Sequence, residues 1–202
     1  MRPTMAIAGS SGNATGSRFP KNAPQITLDF MPYFTHTPSG AFLAYNATVT
    51  ADVTLGRDTS IWFGSVVRGD VAPVTIGERV NIQDCAVVHC DTGFANVIED
   101  DVSVGHRAVV HGERVGRGTL IGMGAVVLGH ADIGEECLIA AGAVVPPRMK
   151  VPDRSLVVGV PGKIVRAVSE KEHEYLRWLS RRYVELVGRY MNGEFGEPAR
   201  AL

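Results

Sequence analysis

The chain is poor in aromatic residues, in cysteine and in net charge. Aromatic side chains make up only 7% of its 202 residues while glycine occurs 23 times, so we expect many tight turns and a core of small aliphatic side chains. The formal net charge of -1 gives no reason to expect nucleic acid or an anionic membrane as a partner. The three cysteines form no CxxC pair, which favours a reducing compartment over a disulfide scaffold.

Long apolar runs are also missing. No stretch approaches the roughly 20 apolar residues needed to span a bilayer. The apolar patch near the N-terminus is short and runs into a Gly/Ser/Asn stretch, which is too weak for a signal peptide. We therefore expect a soluble, cytoplasmic protein that binds neither membranes nor nucleic acid. Residues 1–44 are predicted to be a flexible tail, up to about residue 24, followed by an irregular lead-in.

A period of six residues organises the part of the chain from 45 to 165. One aliphatic residue per hexad cannot be buried by that hexad alone, so three short strands should wind into a triangular coil, and coils should stack. The pattern predicts an all-β fold, a parallel β-helix with turns of about 18 residues. The repeating aliphatic positions are Leu55, Ile61, Val67, Ile76, Ile82, Val88, Ile98, Val104, Val110, Val115, Ile121, Val127, Ile133, Ile139 and Val145.

Three departures from the period fall at the same place in successive coils. The spacing is nine residues after Val67, ten after Val88 and five after Val110. We therefore expect two loops to leave one corner of the prism. An irregular edge on a regular solenoid is where function is expected to concentrate.

Residues 166–202 are predicted to be a C-terminal α-helix and a loose tail. Ser169 and Glu172 offer a capping box at the start of the helix. An apolar stripe at helical spacing then runs to about Met191, and it should lie along the outside of the prism. The stripe consists of Leu176, Leu179, Tyr183, Leu186 and Tyr190.

The register of the coils assigns positions to three histidines. His89 and His111 follow equivalent anchors, so they should lie on adjacent coils about 4.8 Å apart. At that separation two imidazoles can share a metal ion at about 2.0–2.1 Å. His106 follows a different column of anchors and should lie on another face, out of reach within one chain. A homotrimer would bring His106 of one subunit to the pair on its neighbour.

Several strings of the repeat region resemble the gamma-class carbonic anhydrases over about residues 45–190. They are "SIWFGSVVRGD", "TIGERVNIQDCAVVHCD", "VGHRAVVHG" and "LIGMGAVVLGHADIG". The resemblance implies a left-handed β-helix and a lyase that hydrates CO2 to bicarbonate. It also implies His89, His106 and His111 as ligands of Zn2+, with Fe2+ or Co2+ as alternatives. The other implied site residues are Arg68 and Asp70, a structural and active-site pair, and Asn81 and Gln83, which orient water and substrate.

Three neutral imidazoles suit this chemistry because they leave the charge of the cation uncompensated and a coordination position open. The pKa of the bound water then falls towards about 7, which gives hydroxide at neutral pH. Typical members carry further acids that accept the proton. Here Val71 follows Asp70, and Asp91 is the only acid in the loop after His89. The sequence therefore leaves the proton acceptor unassigned.

Other functions remain open on the same residues. A metal-dependent thioesterase or other hydrolase would keep the site and change the substrate. A catalytically weak hexapeptide-repeat scaffold would explain the missing acids. A hexapeptide acyltransferase is less favoured, because three histidines converge and no long acceptor-binding loop interrupts the coils.

Several residues also have simpler interpretations. Arg68 and Asp70 are as well explained by a structural ion pair, and Asn81 and Gln83 can cap the edges of coils. We expect His130 to be solvated at a coil corner. We also expect Asp84 to face a subunit interface and Tyr183 to pack in the core or to cover the site. Cys85, Cys90 and Cys137 should pack as small apolar groups.

Overall fold

The structure is a computed structural model that describes residues 32–196. This part of the chain contains nineteen strands followed by one helix. They are β1 Phe34–His36, β2 Phe42–Ala44, β3 Thr48–Leu55, β4 Ser60–Ile61, β5 Val66–Ile76, β6 Asn81–Ile82, β7 Val87–Val88, β8 Asn96–Ile98, β9 Ser103–Val104, β10 Val109–Val110, β11 Arg114–Val115, β12 Leu120–Ile121, β13 Val126–Val127, β14 Asp132–Ile133, β15 Leu138–Ile139, β16 Val144–Val145, β17 Lys150–Val151, β18 Ser155–Val158, β19 Lys163–Ala167 and α1 Glu170–Met191.

The strands form the three faces of a left-handed parallel β-helix, which confirms the predicted fold. The first face has the order β1-β2-β4-β6-β9-β12-β15-β18-β19. The second face contains β16, β13, β10, β7 and the start of β5, and the third contains the end of β5 with β8, β11, β14 and β17. The second and third faces form one continuous sheet because β5 passes from one to the other.

The six-residue anchors fill the interior of the prism. Val67, Val88, Val110, Val127 and Val145 pair in sequence across the second face. Apart from Leu55, which is partly buried in the first coil, every predicted anchor is at most 1% exposed. Each two-residue strand thus directs one side chain inward and one outward, as a period of two requires.

The first of the two expected corner loops is not a loop. Strand β5 continues through the insertion after Val67 and pairs with β3 up to Leu55 and Ile76, with a register shift near Ala51. A side chain at Gly69 would place its Cβ 2.2 Å from the carbonyl oxygen of Asp52, so only glycine permits this approach. The second insertion, after Val88, does form a loop between β7 and β8.

Helix α1 begins with the predicted capping box. The Ser169 side chain accepts a hydrogen bond from the Glu172 backbone N–H, and the Glu172 carboxylate accepts one from the Ser169 backbone N–H. Leu176 and Leu179 on its apolar stripe are buried. Near the other end of the helix, Tyr183 and Tyr190 pack with the aromatic side chains of the first coil, among them Trp62.

The lead-in before residue 45 contains regular structure. Strands β1 and β2 pair antiparallel, and the Phe34 side chain is 1% exposed beneath α1. The division of the chain at residues 45 and 165 remains a prediction, as does the flexible tail over residues 1 to about 24, which lies outside the described residues. Between residues 32 and 196, no helix has both the length and the apolar character that crossing a bilayer requires.

Candidate metal centre

His89 and His111 meet at the edge of the second face. Val88 at the end of β7 pairs with Val110 at the end of β10, so the residues that follow them stand side by side. Nδ1 of His89 lies 3.1 Å from Nε2 of His111. Two ligand nitrogens of a tetrahedral zinc ion, with bonds of about 2.0–2.1 Å, lie about 3.3 Å apart. The spacing of the two nitrogens therefore fits a shared cation.

Arg68 and Asp70 stand behind His89. The Oδ1 atom of Asp70 lies 2.9 Å from Nε2 of His89, and its Oδ2 atom accepts a hydrogen bond from Arg68. The hydrogen bond from Arg68 and then that from His89 hold the pKa of Asp70 below its ordinary value of 3.8. At neutral pH this carboxylate only accepts hydrogen bonds, so Nε2 of His89 is the donor in this contact and Nδ1 is the nitrogen directed at His111.

His106 lies on the first face, after β9, with 42% of its side chain exposed. Its Nδ1 atom is 2.7 Å from Oδ2 of Asp84, one coil away. Nε2 of His106 is thereby left as the nitrogen available to a ligand. No group of three or more histidine, cysteine, aspartate or glutamate side chains able to hold a metal ion occurs among residues 32–196 of the single chain.

Asn81 and Gln83 are buried beside His106. Gln83 accepts a hydrogen bond from the His106 backbone N–H at 3.2 Å and donates one to Asn81 Oδ1 at 2.9 Å. Asn81 in turn donates to the hydroxyl of Ser103 at 2.8 Å. This chain of buried hydrogen bonds fixes the backbone that carries His106. The second amide N–H of Gln83 remains available for another acceptor.

A cavity of about 260 Å³ lies between the first face and α1. Gln83 and His106 line it together with the apolar side chains of Met123 and Leu179 and the ring of Tyr183. Burial raises the pKa of Tyr183 to about 12, so its hydroxyl is a proton donor at neutral pH. The cavity can thus hold a small apolar molecule next to the imidazole of His106 and the amide of Gln83.

The loop between β7 and β8 is tied down at both ends. The Cys90 thiol donates to the carbonyl oxygen of Ala72 at 3.1 Å. Asn96 is fully buried and donates to the carbonyl oxygens of His89, at 2.7 Å, and Val110, at 3.3 Å. Its own Oδ1 is a buried atom with no hydrogen-bond partner among the residues described. Asn96 therefore holds together the two strands that carry the histidine pair.

Two expectations from the sequence are corrected. His130 is not simply solvated: a quarter of its side chain is exposed, and it lies 3.7 Å from Asp91 and edge-on against the Phe94 ring. Cys85 is exposed at a turn with a φ of 59°, whereas Cys90 and Cys137 are buried as expected.

Two acids and one amide near the histidines were not assigned a site role from the sequence. Asp84 occupies the same register position as His106 one coil earlier, and this equivalence can be read from the sequence. Asp91 lies in a loop whose path the repeat does not fix. Asn96 stands two residues before the anchor Ile98, and the equivalent residue of the next coil, Glu113, is exposed, so the register alone does not identify Asn96 as a buried residue.

The repeat and the fold define the chain as a hexapeptide-repeat protein. A family model described as "Bacterial transferase hexapeptide (six repeats)" matches residues 114–147. Among solved structures, a hexapeptide transferase family protein from Anaplasma phagocytophilum superposes with a TM-score of 0.70 at 37% identity. That superposition covers 73% of this chain and 87% of the other.

Curated relatives narrow the assignment. A protein of Geobacillus kaustophilus named "Carbonic anhydrase" is 45% identical over 157 residues, which cover 76% of this chain and 86% of the relative. One of Methanocaldococcus jannaschii named "Probable carbonic anhydrase" is 46% identical over 144 residues, covering 71% and 91% of the two chains. The chain therefore belongs to the gamma-class carbonic anhydrase family.

Proposed function

We propose that the protein is a carbonic anhydrase that hydrates CO2 to bicarbonate at a three-histidine metal site shared between subunits of a homotrimer. The observation that carries the proposal is the 3.1 Å approach of His89 Nδ1 to His111 Nε2. The names of the curated relatives support the reaction. The placement of His106 on a different face supports a site completed by a second subunit. We also propose a cytoplasmic location.

His89 and His111 of one chain and His106 of another would hold the cation. Imidazole nitrogen suits Zn2+, which we propose as the native metal, and also Fe2+ and Co2+. Bound there, the cation would lower the pKa of a water molecule and supply a hydroxide nucleophile at neutral pH. Because the three imidazoles are neutral, the full positive charge of the cation would remain available to lower the pKa of the water.

The side chains of the chain itself would select and orient the substrate. CO2 is small and has no dipole, which matches a cavity walled by Met123 and Leu179. The free amide N–H of Gln83 would donate to an oxygen of the substrate, and Asn81 would hold that amide in place. Arg68, which hydrogen-bonds Asp70, would keep the carboxylate in contact with His89 and so fix the ring.

Metal analysis combined with kinetics tests this proposal. Protein purified without oxygen should contain about one zinc or iron ion per chain, and stopped-flow measurements should show CO2 hydration. His111→Ala should lose both the metal and the activity. His36→Ala is the matched control and should keep both, because His36 in strand β1 stacks on Phe42 in strand β2, away from the candidate ligands.

Three results would contradict the proposal. Retained hydration in His111→Ala would remove the histidine site from the mechanism. A metal-loaded wild-type protein that hydrolyses acyl thioesters but does not hydrate CO2 would identify a hydrolase instead. A metal-loaded trimer that does neither would identify a scaffold.

A further inference from the structure

The carboxylate of Asp91 lies between two histidines and against Gly129. Its Oδ1 atom is 3.6 Å from Nδ1 of His111, and its Oδ2 atom is 3.7 Å from Nε2 of His130. Beneath it is Gly129, where an added Cβ would lie 2.2 Å from Oδ2 of Asp91. A side chain at position 129 would therefore displace the carboxylate of Asp91.

The loop that carries Asp91 is held in this conformation by short-range contacts. The carbonyl oxygen of Asp91 accepts a hydrogen bond from the Phe94 backbone N–H at 3.0 Å, which closes a four-residue turn. Gly93 in this turn has a φ of 79°, which suits glycine. The Phe94 ring packs edge-on against His130 with centroids 4.4 Å apart. With Cys90 anchored to Ala72, the residues on both sides of Asp91 are fixed.

The orientation of the His89 and His111 rings indicates how the carboxylate of Asp91 would act on His111. The 3.1 Å contact directs Nε2 of His111 towards Nδ1 of His89, which is the side on which a shared cation would lie. To bind a cation through the same atom, His111 must present its Nε2 lone pair and carry its proton on Nδ1. Nδ1 is the atom that faces Asp91.

We propose that Asp91 is a positioning residue that selects the metal-binding tautomer of His111, an inference that rests on the proposed metal centre. The carboxylate attracts the N–H at Nδ1, and a small rotation brings the 3.6 Å separation to hydrogen-bond length. Nε2 of His130 lies 3.7 Å from the other carboxylate oxygen, and Phe94 packs against His130. Asp91 acts on the ring of His111 and does not contact the substrate.

Zinc affinity of four proteins tests the role of Asp91. The proteins are the wild type, Asp91→Asn, Gly129→Ala and Glu113→Gln, each stripped of metal and titrated with zinc against a chromogenic chelator. Asp91→Asn removes the charge and keeps the shape, whereas Gly129→Ala keeps the carboxylate and displaces it. Glu113→Gln is the control, because exposed Glu113 lines the same surface as His130 but forms no ion pair with His111 in the described part of the chain.

We expect Asp91→Asn and Gly129→Ala to weaken zinc binding by about 10–100-fold, the usual effect of removing a carboxylate behind a ligating histidine. Glu113→Gln should bind zinc as the wild type does. The side-chain ¹⁵N shifts of His111 should show the proton on Nδ1 in the zinc-loaded wild type. In metal-free Asp91→Asn, they should show a greater share of the Nε2-protonated form than in the metal-free wild type. A residue with only a structural role would not shift this tautomer balance.

Thermal unfolding of each metal-free variant separates an effect on folding from an effect on zinc binding. A folded Asp91→Asn protein that binds zinc as tightly as the wild type would overturn the inference and leave the metal centre intact. An equal loss in Glu113→Gln would overturn it as well, since a general charge effect would then explain the result. A wild type that binds no zinc would overturn the proposed function itself.

Discussion

The Nδ1 atom of His106 lies 2.7 Å from Oδ2 of Asp84, although 22 residues separate them in the sequence. This is one of three similar pairs, because each candidate ligand has a carboxylate facing the nitrogen on the far side of its ring. The pairs are His89 with Asp70, His106 with Asp84 and His111 with Asp91. A carboxylate in this position fixes the tautomer and the orientation of a ligating imidazole.

Asp84→Asn should therefore weaken metal binding without unfolding the protein. The substitution leaves His106 in place and removes the charge that holds its Nδ1–H, so we expect about a 10–100-fold loss in zinc affinity and a parallel loss of CO2 hydration at limiting zinc. The control is Glu174→Gln, which removes an exposed carboxylate from α1. Unchanged zinc affinity in Asp84→Asn would show that the His106 contact has no role in binding.

Asp70 should make stability depend on pH in the acid range. Its folded-state pKa is below 3.8, so its stabilising contribution is fully present above pH 3.8 and declines as the pH falls through the folded-state pKa. Urea unfolding of the wild type and of Asp70→Asn should give a constant difference near neutral pH and a shrinking one below pH 3.8. Because the side chain is 42% exposed, added salt should reduce the difference. A difference independent of pH would contradict this.

The two valines of strand β13 provide a matched test of the core. Val127 is fully buried inside the prism, whereas Val126 points outward and is half-buried. Val127→Ala should lower the free energy of unfolding by roughly 2 kcal/mol through lost burial and a residual cavity. Val126→Ala should cost clearly less. Equal losses in chemical denaturation at one protein concentration would contradict the assignment of the two faces.

The features that depend on side-chain periodicity could be predicted from the sequence. Residues such as Ile121 and Val127 recur because one side chain per hexad must be buried, so the columns of the β-helix could be read before the structure. The capping box of Ser169 and Glu172 is equally local. The adjacency of His89 and His111 followed from the same register, and their 3.1 Å contact agrees with it.

The features that were missed depend on backbone pairing and loop path. Strand β5 continues past Val67 because its backbone pairs with β3, and side-chain periodicity does not record that pairing. The position of Asp91 depends on a turn and on the open space above Gly129, which come together only in the folded chain. The two strands of the lead-in could not be predicted, because β1 and β2 have only three residues each and are too short to show a periodicity.

Sharing of the site between subunits can be tested by mixing two inactive variants. His106→Ala supplies an intact His89 and His111 pair, and His111→Ala supplies an intact His106. If the site lies between subunits, every trimer that contains both variants has one complete site among its three interfaces. If the site lay within one chain, no mixture would contain a complete site.

The most direct measurement is therefore CO2 hydration by the two variants, alone and after co-expression with different affinity tags. We expect each variant alone to be inactive and free of zinc, and the trimers isolated through both tags to recover about a third of the wild-type activity and zinc content. Mixed trimers that stay inactive while the wild type hydrates CO2, or either variant alone keeping full activity, would contradict a three-histidine site shared between subunits.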